Sequence, residues 1–196
     1  MSKRPVVLVV MDGVGISDSE FGNAVKKAYK PTLDNLWENS PHTEIKAHGL
    51  AVGLPTDDDM GNSEVGHNAL GCGQIYSQGA KLVNENIETG EIFKTETWSG
   101  LVNNCKDGKM HFLGLLSDGN VHSHINHLKA LIKKSKEDGV KEVRVHALLD
   151  GRDVPETSAL TYVDDIEAYM AELNDDSFHA CIASGGGRMT ITMDRY

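Results

Sequence analysis

A serine between glycines marks the stretch Met60-Gly61-Asn62-Ser63-Glu64-Val65-Gly66-His67-Asn68, which follows directly on Asp57, Asp58 and Asp59. The spacing predicts a helix over 64–70, placing Ser63 where free backbone N–H groups and the helix dipole favour negative charge. An oxygen there suits alkoxide chemistry or the carrying of a phosphate. A serine at neutral pH is a poor nucleophile unless a base or a metal activates it. Asp12, just after the apolar run Val6-Val7-Leu8-Val9-Val10, is the candidate partner. Each residue also has a plainer reading: Asn62 or Ser63 can cap the helix, and Asp-Gly after a strand is a turn signal.

Three further phrases carry chemistry: Ser117-Asp118-Gly119-Asn120-Val121-His122, Asp150-Gly151-Arg152-Asp153 and Ser184-Gly185-Gly186-Gly187-Arg188. Each follows an apolar run, with glycine allowing close backbone approach. Guanidinium forks match phosphate and carboxylate oxygens, so Arg152 and Arg188, with His122 and Asp153, suggest a site for an anion. One such phrase alone would read as an ordinary loop. Three at one rim read as a binding site, because open parallel sheets bind ligands beyond the carboxyl ends of their strands. His48, His67, His111, His124, His127, His146 and His179 are expected to be structural. His124 and His127 stand three apart on a predicted helix, without a suitably spaced carboxylate to complete a metal site.

The elements needed to position these residues are legible. Residues 5–10 form a continuous apolar run, expected to be a buried central strand of a parallel sheet. Helices are expected over 23–29 and 32–38, the second opened by Pro31, and a strand over 43–47. A hinge or domain boundary is expected at 74–79, dividing the chain at 75/76. Strands at 109–116, 142–149 and 179–183 then alternate with helices at 124–136, stopped by Gly139, and 157–173. The first helix should turn Ile125, Leu128, Leu131 and Ile132 inward, and the second Leu160, Val163, Ile166 and Tyr169 or Met170. This β-α-β-α-β order predicts a parallel sheet with right-handed crossovers.

A chain of 196 residues with a net charge of −10 has room for one generous domain or parts of two, and does not suit nucleic acid or an anionic membrane as partner. Cys72, Cys105 and Cys181 are odd in number and widely spaced, which reads as reduced thiols rather than a disulfide framework. The short apolar run near the amino terminus is broken at once by Asp12 and Gly13, unlike a signal peptide, and no segment reaches transmembrane length. A cytoplasmic location is expected.

The motifs Val-Val-Met-Asp-Gly-Val-Gly (9–15), Leu-Pro-Thr-Asp-Asp-Asp-Met-Gly-Asn-Ser-Glu-Val-Gly-His-Asn (54–68), Leu-Leu-Ser-Asp-Gly-Asn-Val-His-Ser-His (115–124), Leu-Asp-Gly-Arg-Asp-Val (149–154) and Met-Asp-Arg (193–195) resemble, in order, the signatures of cofactor-independent phosphoglycerate mutases. The resemblance implies an α/β fold: part of an alkaline-phosphatase-like, metal-binding domain over 1–75, then part of an α/β transferase domain with a mainly parallel sheet over 76–196. It implies interconversion of 3-phosphoglycerate and 2-phosphoglycerate in glycolysis and gluconeogenesis, without 2,3-bisphosphoglycerate. Two divalent ions, Mn2+ with Mg2+ or Co2+ as alternatives, would activate the serine. By the same resemblance Ser63 is the phosphorylated nucleophile and a metal ligand, and Asp12 a ligand of the same ion. His122, Arg152, Asp153, Arg188 and Arg195 would contact substrate. Arg188 and Arg195 stand seven apart, whereas many members have six, and members are more than twice as long, with further metal ligands beyond Tyr196. The expected whole enzyme is monomeric, with a small-molecule substrate as partner, and the given chain alone is expected to be inactive. Alternatives are a metal-dependent phosphatase or phosphotransferase of the same superfamily, or a non-catalytic phosphoglycerate-binding module.

Overall fold

The computed structural model describes residues 4–11 and 13–193. They fall into two compact units, one ending at Ile45 and one beginning at Lys46.

The first unit contains two helices, α1 (Ala24–Lys27) and α2 (Pro31–Asn39). Asn23 caps α1 by accepting from the Lys26 N–H, so the helix expected over 23–29 shrinks to a single turn. Pro31 occupies the first turn of α2, where its missing N–H costs nothing. The expected strand at 5–10 does not form, and Val6 and Val7 stand 94% and 80% exposed. Hydrophobicity alone cannot make a strand: each backbone group needs a ladder partner, and among the described residues nothing pairs with this run. The strand expected over 43–47 is likewise irregular chain, for the same reason.

The second unit is built on a three-stranded, wholly parallel sheet in the order β1 (Met110–Leu116), β2 (Glu142–Leu149), β3 (His179–Gly187). The fold is therefore α/β with a parallel sheet, as the β-α-β-α-β pattern predicted. Between the strands run α6 (Ile125–Glu137) and α7 (Ala159–Leu173). The core joins the inward residues Val143, Val145 and Ala147 of β2 to Ile125 and Ile132 of α6 and Ile166 and Met170 of α7, each at most 5% exposed. Leu160, expected inward on α7, is 72% exposed: it lies in the helix's first turn, outside the stripe that faces the sheet. Gly139 ends the α6 segment with φ +89°, a left-handed stop that a side chain would strain.

Strand β3 runs four residues further than the pattern suggested. Gly185, Gly186 and Gly187 pair with Ala147, Leu148 and Leu149 of β2 instead of forming a loop, and a bulge between Val145 and His146 adjusts the register. With no side chains, these glycines gave no strand-like alternation to read.

Ahead of the sheet lie a 3-10 turn (Gly49–Val52), α3 (Ser63–Cys72), α4 (Gly79–Glu88), a second 3-10 turn (Glu91–Lys94) and α5 (Glu96–Cys105). Helices α4 and α5 were not foreseen. Helix α5 nevertheless anchors Trp98 and Val102 in the core, with the Trp98 indole N–H donating to Asp138 at 2.7 Å. Short helices rich in Asn, Gly and Glu carry little periodic signal; α5 is held by packing against β1, and α4 by packing against α6 and the second 3-10 turn.

Candidate active site

The nucleophile candidate is held by a small second core. Val65 on the inner side of α3 packs with Val52 and Leu54. Gly61 approaches the backbone so closely that a Cβ would lie 1.9 Å from the Ala47 carbonyl oxygen, and its N–H donates to His48 Nδ1 at 3.0 Å. Only glycine fits. Asn62 is the N-cap of α3, its side-chain oxygen accepting from the Val65 N–H at 3.0 Å. That frees Ser63, the first residue of the helix, from capping and leaves it exposed.

Among the described residues, one side chain stands within hydrogen-bond distance of the Ser63 hydroxyl. His67 Nδ1 lies 3.2 Å from Ser63 Oγ and 2.7 Å from the Ser63 carbonyl oxygen. A carbonyl can only accept, so the closer contact places the proton on Nδ1, and that nitrogen is not the base that would deprotonate Ser63. Sequence reasoning passed over this contact, although the i, i+4 spacing from Ser63 to His67 on a helix could have signalled it.

The rim of the sheet follows from its register. Leu116 pairs with Leu149, and Leu149 with Gly187, so the next residues form a row across the strand ends: Ser117, Asp150, Arg188. All three are buried. Ser117 Oγ donates to Asp150 Oδ2 at 2.6 Å, and Arg188 Nη1 donates to Asp150 Oδ1 at 2.8 Å and to Asp153 Oδ2 at 2.5 Å. The backbone N–H groups of Arg152 and Asp153 also donate to Asp150 Oδ1, each at 3.1 Å. Burial alone would raise the Asp150 pKa, but the donors from Ser117, Asp153, Arg152 and Arg188 outweigh it and hold the carboxyl below its ordinary value. Burial likewise opposes the Arg188 charge, and the two carboxylates more than restore it, moving its pKa upward.

This network brings three of the expected site residues together. Asp153 joins Arg188 directly, and His122 Nε2 stands 4.0 Å from Asp153 Oδ2 with its own side chain largely exposed. Gly119 makes the approach possible, since a Cβ there would lie 2.9 Å from that of Asp153. Arg152 joins the group only through its backbone; its exposed guanidinium donates to Met193 Sδ at 3.6 Å. Arg188, read from sequence as part of a glycine loop, is instead 5% exposed at the start of the one-turn helix α8 (Arg188–Ile191). Asp12 and Arg195 lie outside the described residues. Among the described residues Ser63 makes no hydrogen bond to the rim. The loop before it does: Asn120 Nδ2 donates to Asp59 Oδ1 at 2.7 Å.

Asp150, Ser117, Asp59 and Asn120 were absent from the expected set. Aspartates in Asp-Gly turns look like turn formers, and nothing local says that one faces a buried arginine. Near the same rim, Tyr162 donates to Asp118 Oδ1 at 2.6 Å, and that acceptor pushes the phenol pKa up to about 12. The histidines expected to be structural have local partners. His48 accepts from Gly61, His124 caps α6, and His111 Nδ1 meets His146 Nε2 at 2.9 Å, with His146 Nδ1 2.7 Å from Ser184 Oγ. Among the described residues no group of three or more His, Cys, Asp or Glu could hold a metal ion, and no helix is long and apolar enough to cross a membrane.

A parallel sheet with helices between its strands and an arginine–carboxylate row at its carboxyl rim places this unit in the α/β class. The family model described as BPG-independent PGAM N-terminus matches residues 83–196. A protein of Leptospira interrogans named "Probable 2,3-bisphosphoglycerate-independent phosphoglycerate mutase" is 53% identical, the match covering 98% of this chain and 36% of that protein. The 2,3-bisphosphoglycerate-independent phosphoglycerate mutase of Trypanosoma brucei brucei is 49% identical over 100% of this chain and 36% of its own length. In solved structures, a Leishmania mexicana phosphoglycerate mutase crystallised at low cobalt concentration superposes with a TM-score of 0.82 at 48% identity, covering 95% of this chain and 35% of that one. The chain belongs to the 2,3-bisphosphoglycerate-independent phosphoglycerate mutase family, and spans little more than a third of the length of these relatives.

Proposed function

We propose that this chain is the amino-terminal portion of an enzyme that interconverts 3-phosphoglycerate and 2-phosphoglycerate without 2,3-bisphosphoglycerate. The carrying observation is the local chemistry of Ser63: an exposed hydroxyl at a helix amino end whose capping duty has passed to Asn62. Family membership and the arginine–carboxylate rim support the same reading.

In this reading Ser63 Oγ bonds to the substrate phosphorus while the phosphorus–oxygen bond to the glycerate breaks, and the serine proton ends on the departing oxygen. The glycerate turns without leaving. Its other hydroxyl then attacks the phosphoserine and restores Ser63. Arg188 and Arg195 hold the anionic groups, since an acidic chain must gather its cations locally to retain such a substrate, and His122, Arg152 and Asp153 make further substrate contacts. Ser63 and Asp12 offer a hydroxyl and a carboxylate, hard oxygen donors that fit a divalent cation of the manganese, magnesium or cobalt kind. Two such ions would lower the serine pKa and neutralise charge on the transferring oxygens. Two ligands seldom hold an ion alone, so we take the 196-residue chain by itself to be inactive. The division into phosphatase and transferase parts is placed at 75/76, and the whole enzyme is taken as a cytoplasmic monomer acting on a small molecule.

The test is an assay of the 196-residue chain and of a full-length relative-sized protein carrying it, with manganese and 3-phosphoglycerate, reading products by mass spectrometry. The longer protein should yield 2-phosphoglycerate and lose that yield in Ser63→Ala. Release of free phosphate without isomerisation would instead establish a phosphatase.

A further inference from the structure

Among the described residues, one side-chain hydrogen bond ties the segment that carries Ser63 to the rim. Asp59, four residues before Ser63, organises its own loop: Oδ2 accepts from the Thr56 N–H at 2.7 Å and from Thr56 Oγ1 at 2.9 Å, and its carbonyl accepts from the Gly49 N–H at 3.1 Å. The remaining oxygen, Oδ1, accepts from Asn120 Nδ2. Asn120 stands two residues before His122, 61 positions from Asp59 along the chain.

Asn120 shows two marks of a constrained residue. It has φ +57°, the one positive φ at a non-glycine among the described residues, in a region that asparagine tolerates better than most side chains. Its Oδ1 is buried without a hydrogen-bond partner among the described residues. A strained backbone and an orphaned acceptor are retained where the other half of the side chain is needed. Both residues line a cavity of about 440 Å³ whose wall also includes Thr56, Asp118, His124 and His127, so the pair spans a gap that packing does not fill.

We propose that Asn120 is a positioning residue whose hydrogen bond to Asp59 latches the Ser63-bearing segment to the loop that carries His122. The catalytic consequence rests on the mutase reading above; the mechanical one does not. The Asp59 carboxylate has the properties of a lasting acceptor. Burial works to raise its pKa, yet donation from Asn120 and Thr56 and the nearby His124 leave it below its ordinary value.

Two variants of the 196-residue chain test the latch by hydrogen exchange, read without substrate. Asn120→Gly keeps the left-handed backbone and deletes the donor. Asn120→Asp keeps the shape and sets carboxylate against carboxylate. Both should raise amide exchange over 49–62 roughly tenfold, the scale of one hydrogen bond to a charged group, while strand β2 keeps its protection. In Asn120→Asp the excess over wild type should shrink near pH ~4, where one carboxyl takes up a proton and becomes a donor. Unchanged exchange over 49–62 in both variants overturns the proposal. So does a rise of equal size in β2, which would report general loosening. In the longer protein, Asn120→Gly should lower kcat roughly tenfold with little change in KM, as expected when alignment and not substrate affinity is lost. A latch seen by exchange in a protein without mutase turnover would retain the mechanical claim and reject only the catalytic one.

Discussion

Arg188 and Asp150 close the sheet rim as a buried ion pair, 2.8 Å apart, with side chains 7% and 0% exposed. The pair stands at the ends of adjacent strands, so it fastens β2 to β3 where the backbone ladder stops. It also fixes Asp153 and, through it, the neighbourhood of His122. A charge this buried is tolerable because four donor groups make five hydrogen bonds to one carboxylate or its neighbour, leaving few bare lone pairs.

Replacing Asp150 should therefore be severe. In Asp150→Ala the Arg188 guanidinium keeps, among the described residues, Asp153 as its partner, and Ser117 Oγ and two backbone N–H groups lose their acceptor. A loss of about 3 kcal/mol is expected, at the lower end of the range for breaking a buried pair because one carboxylate remains. Urea unfolding followed by far-UV circular dichroism would measure it. A midpoint within error of wild type would contradict this account of the rim.

Acid should unfold this unit through the same carboxylate. The folded pKa of Asp150 lies below its unfolded value, so between the two the unfolded chain binds more protons. The stabilisation is complete above the unfolded pKa of about 3.9 and is lost as pH falls through the folded value. Asp138, lowered by Lys134 and Trp98 against the opposing effect of burial, adds to the same trend. Thermal melting points should hold from neutral pH to about pH 5 and then decline, and Asp150→Asn should flatten the decline while lowering the plateau.

Asn62 and Ser63 should separate cleanly. Asn62→Ala removes the cap of α3 and should cost about 1 kcal/mol of stability. Ser63→Ala removes an exposed hydroxyl with no capping role and should shift stability by less than about 0.5 kcal/mol. Equilibrium unfolding of the two variants side by side decides it. The reverse ranking would mean that Ser63 is the structural residue and Asn62 the spare.

Local pattern sufficed where each element carries its own period. Helix α6 shows its inward stripe of Ile125, Leu128, Leu131 and Ile132, and β2 alternates buried with half-buried residues, so both were readable. The run at 5–10 was not, because strand formation depends on partners that sequence proximity does not supply. The glycines of β3 were misplaced for want of side chains, and α4 and α5 because their periodicity is faint.

The sequence by itself determined the β-α-β-α-β order, the serine at a helix start and two of the three motif loops at one rim, because propensity, capping and strand direction are properties of short stretches. Only the tertiary structure decided that Arg188 is buried between Asp150 and Asp153, that Asn62 and not Ser63 caps α3, and that Asn120 reaches Asp59. Charge pairing and hydrogen bonding act across space between residues tens of positions apart. The register of the strands, which no local window contains, chooses the partners.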